Sequence, residues 1–502
     1  MIQIKDVSFR YANAEVSALE HVSLHVRKGE CVVLLGSSGC GKTTITRLIN
    51  RLVPEFFEGE MTGQVLVDGQ DTSEMNIQDL SGVVGSVFQD PRSQFFCTDT
   101  TAELAFSCEN AGLPRDEILK RIEKAAGDLN IRHLLEQSIF ELSSGEKQSI
   151  AIGSVYALKP KVLVLDEPSA NLDSKATLHL MEILGILKKQ GYTIVISEHR
   201  IHYLRDIADR AVLIKKGKIE KELDRSGFRH LTNTQANRMG LRSPDLSAVT
   251  VRPHQACGSD TFFRLKSVAF GFDKKAPFLT NISFKADRGF VVGIIGNNGV
   301  GKSTLLEIIC GLQKERSGEV MIDGASIKPK RRNKETFLVM QNSDCQLFSD
   351  SVENELYLDH ERTRERMKTG EALLSQMGLQ EFVQHHPASL SGGQKQRLCI
   401  AVACMKDSDV ICFDEPTSGL DYDSMLQVSD LLHELSLKGK VLLVTSHDYE
   451  FLMSACTHIC YLKDGEVKDY YSVDENTASK TYEILFSDSL APGKVLLKEG
   501  EK

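Results

Sequence analysis

Short apolar runs alternate with longer amphipathic segments along much of the chain. The runs "CVVLLG" (31–36) and "KVLVLDEP" (161–168) are apolar up to a glycine or an acidic turn, which is typical of strands buried on both faces of an α/β sheet. Each run leads through a loop into a helix-like segment. One of these, "SKATLHLMEILGILKKQG", has apolar residues at helical spacing and ends at Gly191, a favourable helix stop. The pattern predicts an α/β fold.

The first residues, "MIQIKDVSF", alternate between apolar and polar positions as a half-buried strand does. They lack the character of a secretory signal peptide. No apolar run approaches the roughly 18–20 residues that a membrane-spanning helix needs. We therefore expect that the chain itself does not span a membrane.

The hydrophobic pattern occurs twice. "CVVLLGSSGCGKTT" returns as "FVVGIIGNNGVGKST", "VLVLDEPSANLD" as "VICFDEPTSGLD", and "LSSGEKQ" as "LSGGQKQ", in the same order. The offset between corresponding residues falls from 260 at Lys42 and Lys302 to 248 at Asp166 and Asp414. Because the order is kept and only small deletions lie between the motifs, the chain is a duplicated domain.

Length and composition agree with two globular domains. The chain has 502 residues, 41% hydrophobic content and a net charge of −9, which gives no general electrostatic reason to bind nucleic acid. The basic run "KPKRRNK" (328–334) lies between two predicted strands, and we interpret it as a solvated loop. The scattered cysteines, with Cys40 inside a glycine-rich loop, favour a reducing, cytoplasmic setting.

A polar, irregular stretch separates the two halves. We predict a first domain over residues 1–230, a linker over 231–260, a second domain over 261–486 and a charged tail over 487–502.

Two glycine-rich loops carry candidate phosphate chemistry. "GSSGCGKT" and "GNNGVGKS" both fit G-x-x-x-x-G-K-[ST], after a strand and before a helix. Backbone N–H groups of such a loop cradle phosphates at a helix N-terminus. Lys42 and Lys302 would reach the β- and γ-phosphates, and the hydroxyls of Thr43 and Ser303 would ligate Mg²⁺.

Adjacent acids end a buried strand in each half. Asp166 and Asp414 stand where a phosphate-bound metal needs a carboxylate. Glu167 and Glu415 follow them directly and are candidates for the general base that polarises an attacking water.

Six motifs recur in both halves in a fixed order: the phosphate loop, a Gln after a strand, "LSGGQ" or its variant, "DEP", "SGLD" or its variant, and a strand-end His. In this order they resemble the nucleotide-binding domains of ABC ATPases. The resemblance covers nearly the whole chain apart from the linker and the tail. It implies two tandem P-loop NTPase domains, each with a mixed α/β core and a helical subdomain, that bind ATP with Mg²⁺ and hydrolyse it.

The resemblance also implies roles for matching positions. It gives catalytic roles to Glu167, His199, Glu415 and His447, and metal contacts to Thr43, Gln89, Asp166, Ser303, Gln341 and Asp414. The remaining nucleotide contacts implied are Tyr11, Gly36, Ser37, Ser38, Gly39, Cys40, Gly41, Lys42, Thr44, Ser143, Gly145, Phe272, Gly296, Asn297, Asn298, Gly299, Val300, Gly301, Lys302, Thr304, Ser391 and Gly393.

In the family, the "LSGGQ" segment of one domain completes the ATP site of the other, so the resemblance implies head-to-tail pairing of the two halves. "LSSGEKQ" would then complete the site built on Lys302, and "LSGGQKQ" the site built on Lys42. Ser144 adds a side chain and Glu146 a negative charge near an anion. The resemblance thus implies two unlike ATP sites, of which the one on Lys302 is weaker.

Three classes of paired ABC protein remain open: importer ATPases of the energy-coupling factor (ECF) type, ribosome-binding translation factors, and sugar-importer tandems. In both halves a second Gln follows the first five residues later, Gln94 after Gln89 and Gln346 after Gln341, which resembles the ECF and cobalt-type ATPases. That resemblance implies integral membrane partners, a scaffold and a substrate-binding component. It also implies a peripheral location at the cytoplasmic face of the cell membrane, with no nucleic-acid partner.

Overall fold

The computed structural model describes residues 1–12, 14–252, 261–273, 276–358, 361–406 and 408–486. The chain divides into two compact units, Met1–Asp245 and Leu246–Lys502. The predicted tail lies outside the described residues, as does the part of the predicted linker from residue 253 onward. Within the described residues, no helix has the length and apolar character needed to cross a membrane.

The first unit contains two sheets and a set of helices. Its strands are β1 Ile2–Tyr11, β2 Leu19–Val26, β3 Cys31–Leu35, β4 Gly59–Val67, β5 Gln70–Asp71, β6 Val84–Val87, β7 Val162–Asp166, β8 Thr193–Ser197, β9 Arg210–Lys215 and β10 Lys218–Asp224. Its helices are α1 Lys42–Ile49, α2 Leu52–Glu55, α3 Ile77–Ser81, α4 Thr100–Asn110, α5 Arg115–Asp128, α6 Ser144–Ala157, α7 Ser174–Lys189, α8 Arg225–Arg229 and α9 Asn233–Arg238.

The second unit repeats this plan. Its strands are β11 Thr261–Phe270, β12 Leu279–Asp287, β13 Val291–Ile295, β14 Ser317–Ile322, β15 Ala325–Ser326, β16 Thr336–Val339, β17 Val410–Asp414, β18 Val441–Thr445, β19 His458–Lys463 and β20 Glu466–Ser472. Its helices are α10 Lys302–Ile309, α11 Pro329–Glu335, α12 Val352–Leu356, α13 Arg364–Gln376, α14 Gly392–Met405, α15 Tyr422–Leu437, α16 Tyr449–Ala455 and α17 Glu475–Phe486.

Each unit joins an antiparallel sheet to a mostly parallel one. In the first unit the strand orders are β2-β1-β4-β5 and β10-β9-β3-β8-β7-β6, and in the second β12-β11-β14-β15 and β16-β17-β18-β13-β19-β20. The strands β3, β8 and β7 are mutually parallel, with Leu34 beside Ser197 and Asp166 beside Ser197. The carboxyl ends of these strands therefore meet at one edge, where an open α/β sheet binds its ligands.

The central strand β3 is buried on both faces, as its apolar run predicts. Cys31, Val33 and Leu35 pack into the core shared with the helices, whereas Val32 and Leu34 pack into the core shared with the antiparallel sheet. This alternation follows from the period of two residues in a strand. The predicted α/β architecture with two tandem domains is confirmed.

The first unit continues past residue 230, where the sequence pattern placed the start of the linker. Helix α9 begins at a capping box formed by Thr232 and Gln235, and Leu231, Ala236 and Leu241 are buried in the core of this unit. The sequence pattern did not indicate this packing, because only a few apolar side chains in a mostly polar segment are buried.

The basic run at 328–334 is not a solvated loop, so that interpretation is wrong. Residues Pro329–Glu335 form helix α11, and the Arg332 side chain is fully buried, with Nη2 donating to Glu315. Its Nε and Nη1 atoms make no hydrogen bond within the described part of the chain. One buried residue in a charged helix follows from helical periodicity, which places a single face of α11 against the sheet.

Removing Glu315 should therefore destabilise the second unit. Glu315→Ala leaves the buried guanidinium of Arg332 without its carboxylate, and we expect a loss of about 3–5 kcal/mol. Hydrogen–deuterium exchange of the α11 and β16 amides measures this loss. The exposed pair of Arg331 and Glu335, 2.7 Å apart, gives the control: Arg331→Ala should cost less than about 1 kcal/mol. Equal exchange in the two variants would contradict the prediction.

Candidate active sites

The backbone of each glycine-rich loop has the conformation that its glycines predict. Gly36 and Gly41 have φ values of 142° and 112°, and a Cβ on Gly36 would lie 2.3 Å from the carbonyl oxygen of Ile214. Gly39, at φ 75°, faces open space, with nothing within 4 Å of a Cβ built there. The loop is thus pressed against the sheet on one side and open on the other. A phosphate can approach the backbone on the open side.

The loop lysines are held across the mouth of each loop. Lys42 is 3% exposed, and its Nζ donates to the carbonyl oxygens of Gly36 at 2.9 Å and Ser37 at 3.1 Å. Lys302 makes the same contacts with Gly296 at 2.8 Å and Asn297 at 3.1 Å. Each ammonium group is therefore fixed where a phosphate on the loop would meet it. The loops fit a phosphorylated ligand such as ATP.

A hydroxyl and a carboxylate meet at the first turn of α1. Thr43 Oγ1 donates to Asp166 Oδ1 at 3.2 Å, and Ser197 Oγ donates to the same oxygen. Burial raises the pKa of Asp166, while the Ser197 hydroxyl lowers it. In the second unit, Thr445 Oγ1 donates to Asp414 Oδ1 at 2.6 Å.

These oxygen donors fit Mg²⁺, which takes one or two protein ligands and completes its shell with phosphate oxygens and water. Among the described side chains, no group of three or more His, Cys, Asp or Glu could hold a metal ion.

The first catalytic candidate, Glu167, lies among the predicted site residues. Its Oε2 accepts from Gln89 Nε2 at 2.7 Å, and its Oε1 lies 3.1 Å from His199 Nε2. The same His199 nitrogen lies 3.3 Å from Lys42 Nζ. Four residues far apart in the sequence thus meet within hydrogen-bonding distance, beside the phosphate loop.

The second unit brings the corresponding residues together. His447 Nε2 lies 2.8 Å from Lys302 Nζ, 2.9 Å from Asn298 Oδ1 and 3.5 Å from Glu415 Oε1. Gln341 is exposed and follows the end of β16, as Gln89 follows β6. Glu415, like Glu167 in the first unit, has a positive φ, 48°. Such a backbone conformation is uncommon for Glu.

The two aromatic residues among the nucleotide contacts that the resemblance implies, Tyr11 and Phe272, differ in their surroundings; in the family this position stacks on the adenine. Tyr11 ends β1, contacts the Phe9 ring edge-on at 4.8 Å, and its hydroxyl lies 3.1 Å from Thr44 Oγ1. Phe272 is 71% exposed beyond the end of β11, and its ring contacts Phe270 edge-on at 5.1 Å and Phe278 at 5.3 Å. Phe272 is therefore the better placed of the two for stacking on a base.

Sequence reasoning did not identify Glu198, which holds His199 of the first unit in place. This carboxylate is 2% exposed and accepts from the backbone N–H of His199 at 2.7 Å, from Ser169 N at 3.3 Å and from Tyr203 OH at 2.6 Å. It thereby ties the histidine to the turn that follows Glu167. The sequence signal that could have identified this residue is the position of Glu198 in "ISEH" (196–199), directly before His199.

The second unit uses the residue after its histidine instead. Asp448 Oδ2 accepts from Thr417 Oγ1 at 3.4 Å, and Asp448 Oδ1 from Phe451 N at 3.2 Å. Asp448, the residue after His447, is thus bonded to the turn after Glu415, as Glu198, the residue before His199, is bonded to the turn after Glu167.

The segments "LSSGEKQ" (142–148) and "LSGGQKQ" (390–396) begin helices α6 and α14 in the same way. Ser143 Oγ accepts from Glu146 N at 3.3 Å and Glu146 Oε2 from Ser143 N at 2.8 Å, and Ser391 and Gln394 repeat the arrangement. Glu146 therefore caps its helix as well as Gln394 does. Ser144 is exposed, so neither substitution disturbs its own unit.

Comparison with known proteins agrees with this geometry. A family model described as "ABC transporter" matches residues 19–170 and 279–418. A putative ABC transporter ATP-binding protein of Treponema denticola is 43% identical over 93% of this chain and 96% of its own length. The putative HMP/thiamine import ATP-binding protein YkoD of Bacillus subtilis is 30% identical over 92% and 90%. An archaeal ribosome recycling factor, aABCE1, has a TM-score of 0.65 at 19% identity over 95% of this chain and 92% of its own, and shows the fold alone.

Proposed function

The chain belongs to the ABC transporter family as two fused ATP-binding, ATP-hydrolysing domains, and from this premise we propose that it energises an importer of the ECF type. The cargo is a micronutrient such as a vitamin or a metal ion, carried by separate membrane subunits, a scaffold and a substrate-binding component. The chain lies at the cytoplasmic face of the cell membrane.

One observation carries the ECF assignment: the second Gln of each pair fastens the loop that bears the first. Gln94 Oε1 accepts from Phe88 N at 3.2 Å, and Gln346 Oε1 accepts from Met340 N at 3.0 Å. The spacing of five residues therefore has the same structural role in both units. This common role supports the proposal that each unit has a loop of the same kind, at which a membrane subunit docks.

A buried glutamate shapes the segment after each of these loops. Glu103 accepts from Phe96 N at 3.0 Å, and Glu355 accepts from Phe348 N at 2.8 Å. Both glutamates are 2% exposed, whereas the rings of Phe96 and Phe348 are 75% and 76% exposed. A large exposed apolar side chain at the same place in each unit suits contact with a partner subunit. The name of the B. subtilis relative, an HMP/thiamine import protein, supports import of a vitamin.

The proposed mechanism assigns each residue a task. Bound ATP would supply the phosphoanhydride bond, and Mg²⁺ held by Thr43 and Asp166 would neutralise developing charge. Lys42 holds the phosphates at the mouth of the loop, and Glu167 accepts the proton of the attacking water. Gln89 and His199, in contact with the two carboxylate oxygens, orient Glu167. Closure of the head-to-tail pair that the resemblance implies, and its reopening after hydrolysis, transmit the motion to the membrane subunits.

Affinity purification from detergent-solubilised membranes tests the proposed function. Recovery of the full chain with a pair of integral membrane proteins is the expected result. Recovery with ribosomes would favour the translation-factor class and overturn the proposal. Membrane subunits that bind a sugar rather than a micronutrient would favour the sugar-importer class.

The two ATP sites should differ in their contribution to turnover. On head-to-tail pairing, the site of Glu415 receives the altered segment with Ser144 and Glu146, so it is the weaker site. We expect Glu167→Gln to reduce steady-state phosphate release more than Glu415→Gln does. Equal losses, or the reverse order, would show that the altered segment is neutral. Reverting it with Ser144→Gly and Glu146→Gln should bring the two losses closer together.

A further inference from the structure

The two glycine-rich loops differ in the residue before their central glycine. The first loop has Ser38 there, and the second loop has Asn298. The loop backbones follow the same path at this point, since Gly41 and Gly301 have φ values of 112° and 103°. The side chain is therefore what distinguishes the loops here, and asparagine carries an amide where serine carries a hydroxyl.

In the second unit, Asn298 contacts the histidine of the site. Its Oδ1 lies 2.9 Å from His447 Nε2, whereas Glu415 Oε1 lies 3.5 Å from the same nitrogen. Lys302 Nζ, which belongs to the loop, lies 2.8 Å from it. The glutamate is thus the most distant of these three groups. His447 is held towards the phosphate loop, and its side chain is only 8% exposed.

In the first unit the order of the distances is reversed. His199 Nε2 lies 3.1 Å from Glu167 Oε1 and 3.3 Å from Lys42 Nζ. Ser38 is exposed and has no amide oxygen to offer this nitrogen. The glutamate is therefore the closer of the two partners of the histidine in this unit.

An amide oxygen competes directly with a carboxylate for a histidine N–H. Asn298 Oδ1 and Glu415 Oε1 both accept hydrogen bonds, so each needs the single proton that His447 Nε2 can carry. A separation of 2.9 Å is typical of a strong N–H···O bond, whereas 3.5 Å lies at the limit of hydrogen bonding. In the second unit, Asn298 is therefore the acceptor that takes this hydrogen bond.

We propose that Asn298 is a positioning residue that slows hydrolysis at the second ATP site by taking the hydrogen bond that would orient Glu415. It acts through His447. A general base is effective only when it is held in line with the proton that it accepts. The first site holds one oxygen of Glu167 through His199, and the second site gives that contact to the loop.

The proposed effect lies within the second unit, since Asn298, His447 and Glu415 all belong to it. It is thus separate from the effect of the segment with Ser144 and Glu146, which belongs to the first unit. The inference also goes beyond the proposed function, because it concerns the chemistry of one ATP site and not the membrane partner. The two ATP sites would then differ in the orientation of their bases as well as in the segments that complete them.

Exchanging the two loop residues tests the proposal. Asn298→Ser gives the second loop the residue of the first, so that His447 can turn to Glu415. We expect kcat for phosphate release by the full chain to rise at least about twofold, the lower end of what one hydrogen bond contributes. KM for ATP should change less than about twofold, because the backbone N–H groups that hold the phosphates are unchanged.

The reverse exchange is the matched test. Ser38→Asn brings an amide oxygen towards His199, and it should lower kcat at least about twofold without a comparable change in KM. Asn476→Ser makes the same chemical change as Asn298→Ser at an exposed residue of α17, and should alter neither constant. Both loop variants should keep the wild-type midpoint of thermal unfolding, since each introduces the residue that the other loop accommodates.

A gain in rate distinguishes this role from a merely structural one, because damage to the loop can only lower kcat. An unchanged or lower kcat in folded Asn298→Ser would overturn the proposal. A higher KM in that variant would assign the Asn298 side chain to phosphate binding and overturn it as well. If Asn298→Ser does not fold, Ser38→Asn decides, and an undiminished kcat there contradicts the proposal. These rates are measured without a membrane subunit, so the proposed function stands or falls separately.

Discussion

Replacing Glu167 and Glu415 together by Gln should abolish ATP turnover while ATP binding is retained. Glutamine keeps the shape of the side chain and its contact with Gln89 and His199, but it cannot accept a proton from water. A positioned general base contributes about 10²–10⁴-fold to the rate. Steady-state phosphate release should therefore fall by about that factor or more, and equilibrium binding of labelled ATP should persist.

A matched pair of exposed glutamates controls for the loss of two charges. Glu123 and Glu371 occupy corresponding positions in the two units, and both are exposed. Glu123→Gln combined with Glu371→Gln should leave turnover and binding unchanged. Unchanged phosphate release in the Glu167 and Glu415 double variant would overturn the assignment of these residues as bases.

Replacing Lys42 and Lys302 together by Met should instead weaken ATP binding at both sites. Each ammonium group is buried at the mouth of its loop, held by two backbone carbonyl oxygens. A hydrogen bond to a charged group contributes about 1.5–3 kcal/mol, so each substitution should weaken nucleotide affinity by about ten- to a hundredfold. Titration with a fluorescent ATP analogue measures the loss at both sites.

This variant should be distinguishable from an unfolded protein. Methionine fills most of the volume of the lysine stem, and we expect the far-ultraviolet circular dichroism to be that of the wild type. Lys189→Met, at an exposed residue in the last turn of α7, is the control and should bind ATP normally. Normal affinity in the Lys42 and Lys302 double variant would show that the loops do not hold the phosphates.

The sequence predicted the central strands and the phosphate loops well because their signals are local. A strand buried on both faces must be continuously apolar, as Cys31–Leu35 is. A tight loop needs glycine wherever φ is positive, as at Gly36 and Gly41. The duplication strengthened each of these predictions, since the same pattern had to be explained twice.

The sequence was less informative where one polar residue is buried among exposed ones. The basic run of α11 has the composition of a solvated segment, yet Arg332 lies in the core because Glu315 reaches it. The end of the first unit was placed too early for a similar reason, since three buried apolar residues anchor an otherwise polar stretch.

By itself, the sequence determined that the chain is a tandem of two ATP-binding domains, and it named candidate residues for binding phosphate and metal. Only the tertiary structure decided how those residues are held and how the two units differ. Glu198 ties His199 to Ser169 in the first unit, and Asp344 pairs with Lys395 in the second unit, where the first has Arg92 and Lys147. The physical reason is that the partner of a buried polar group comes from a distant part of the chain, and only folding brings the two together.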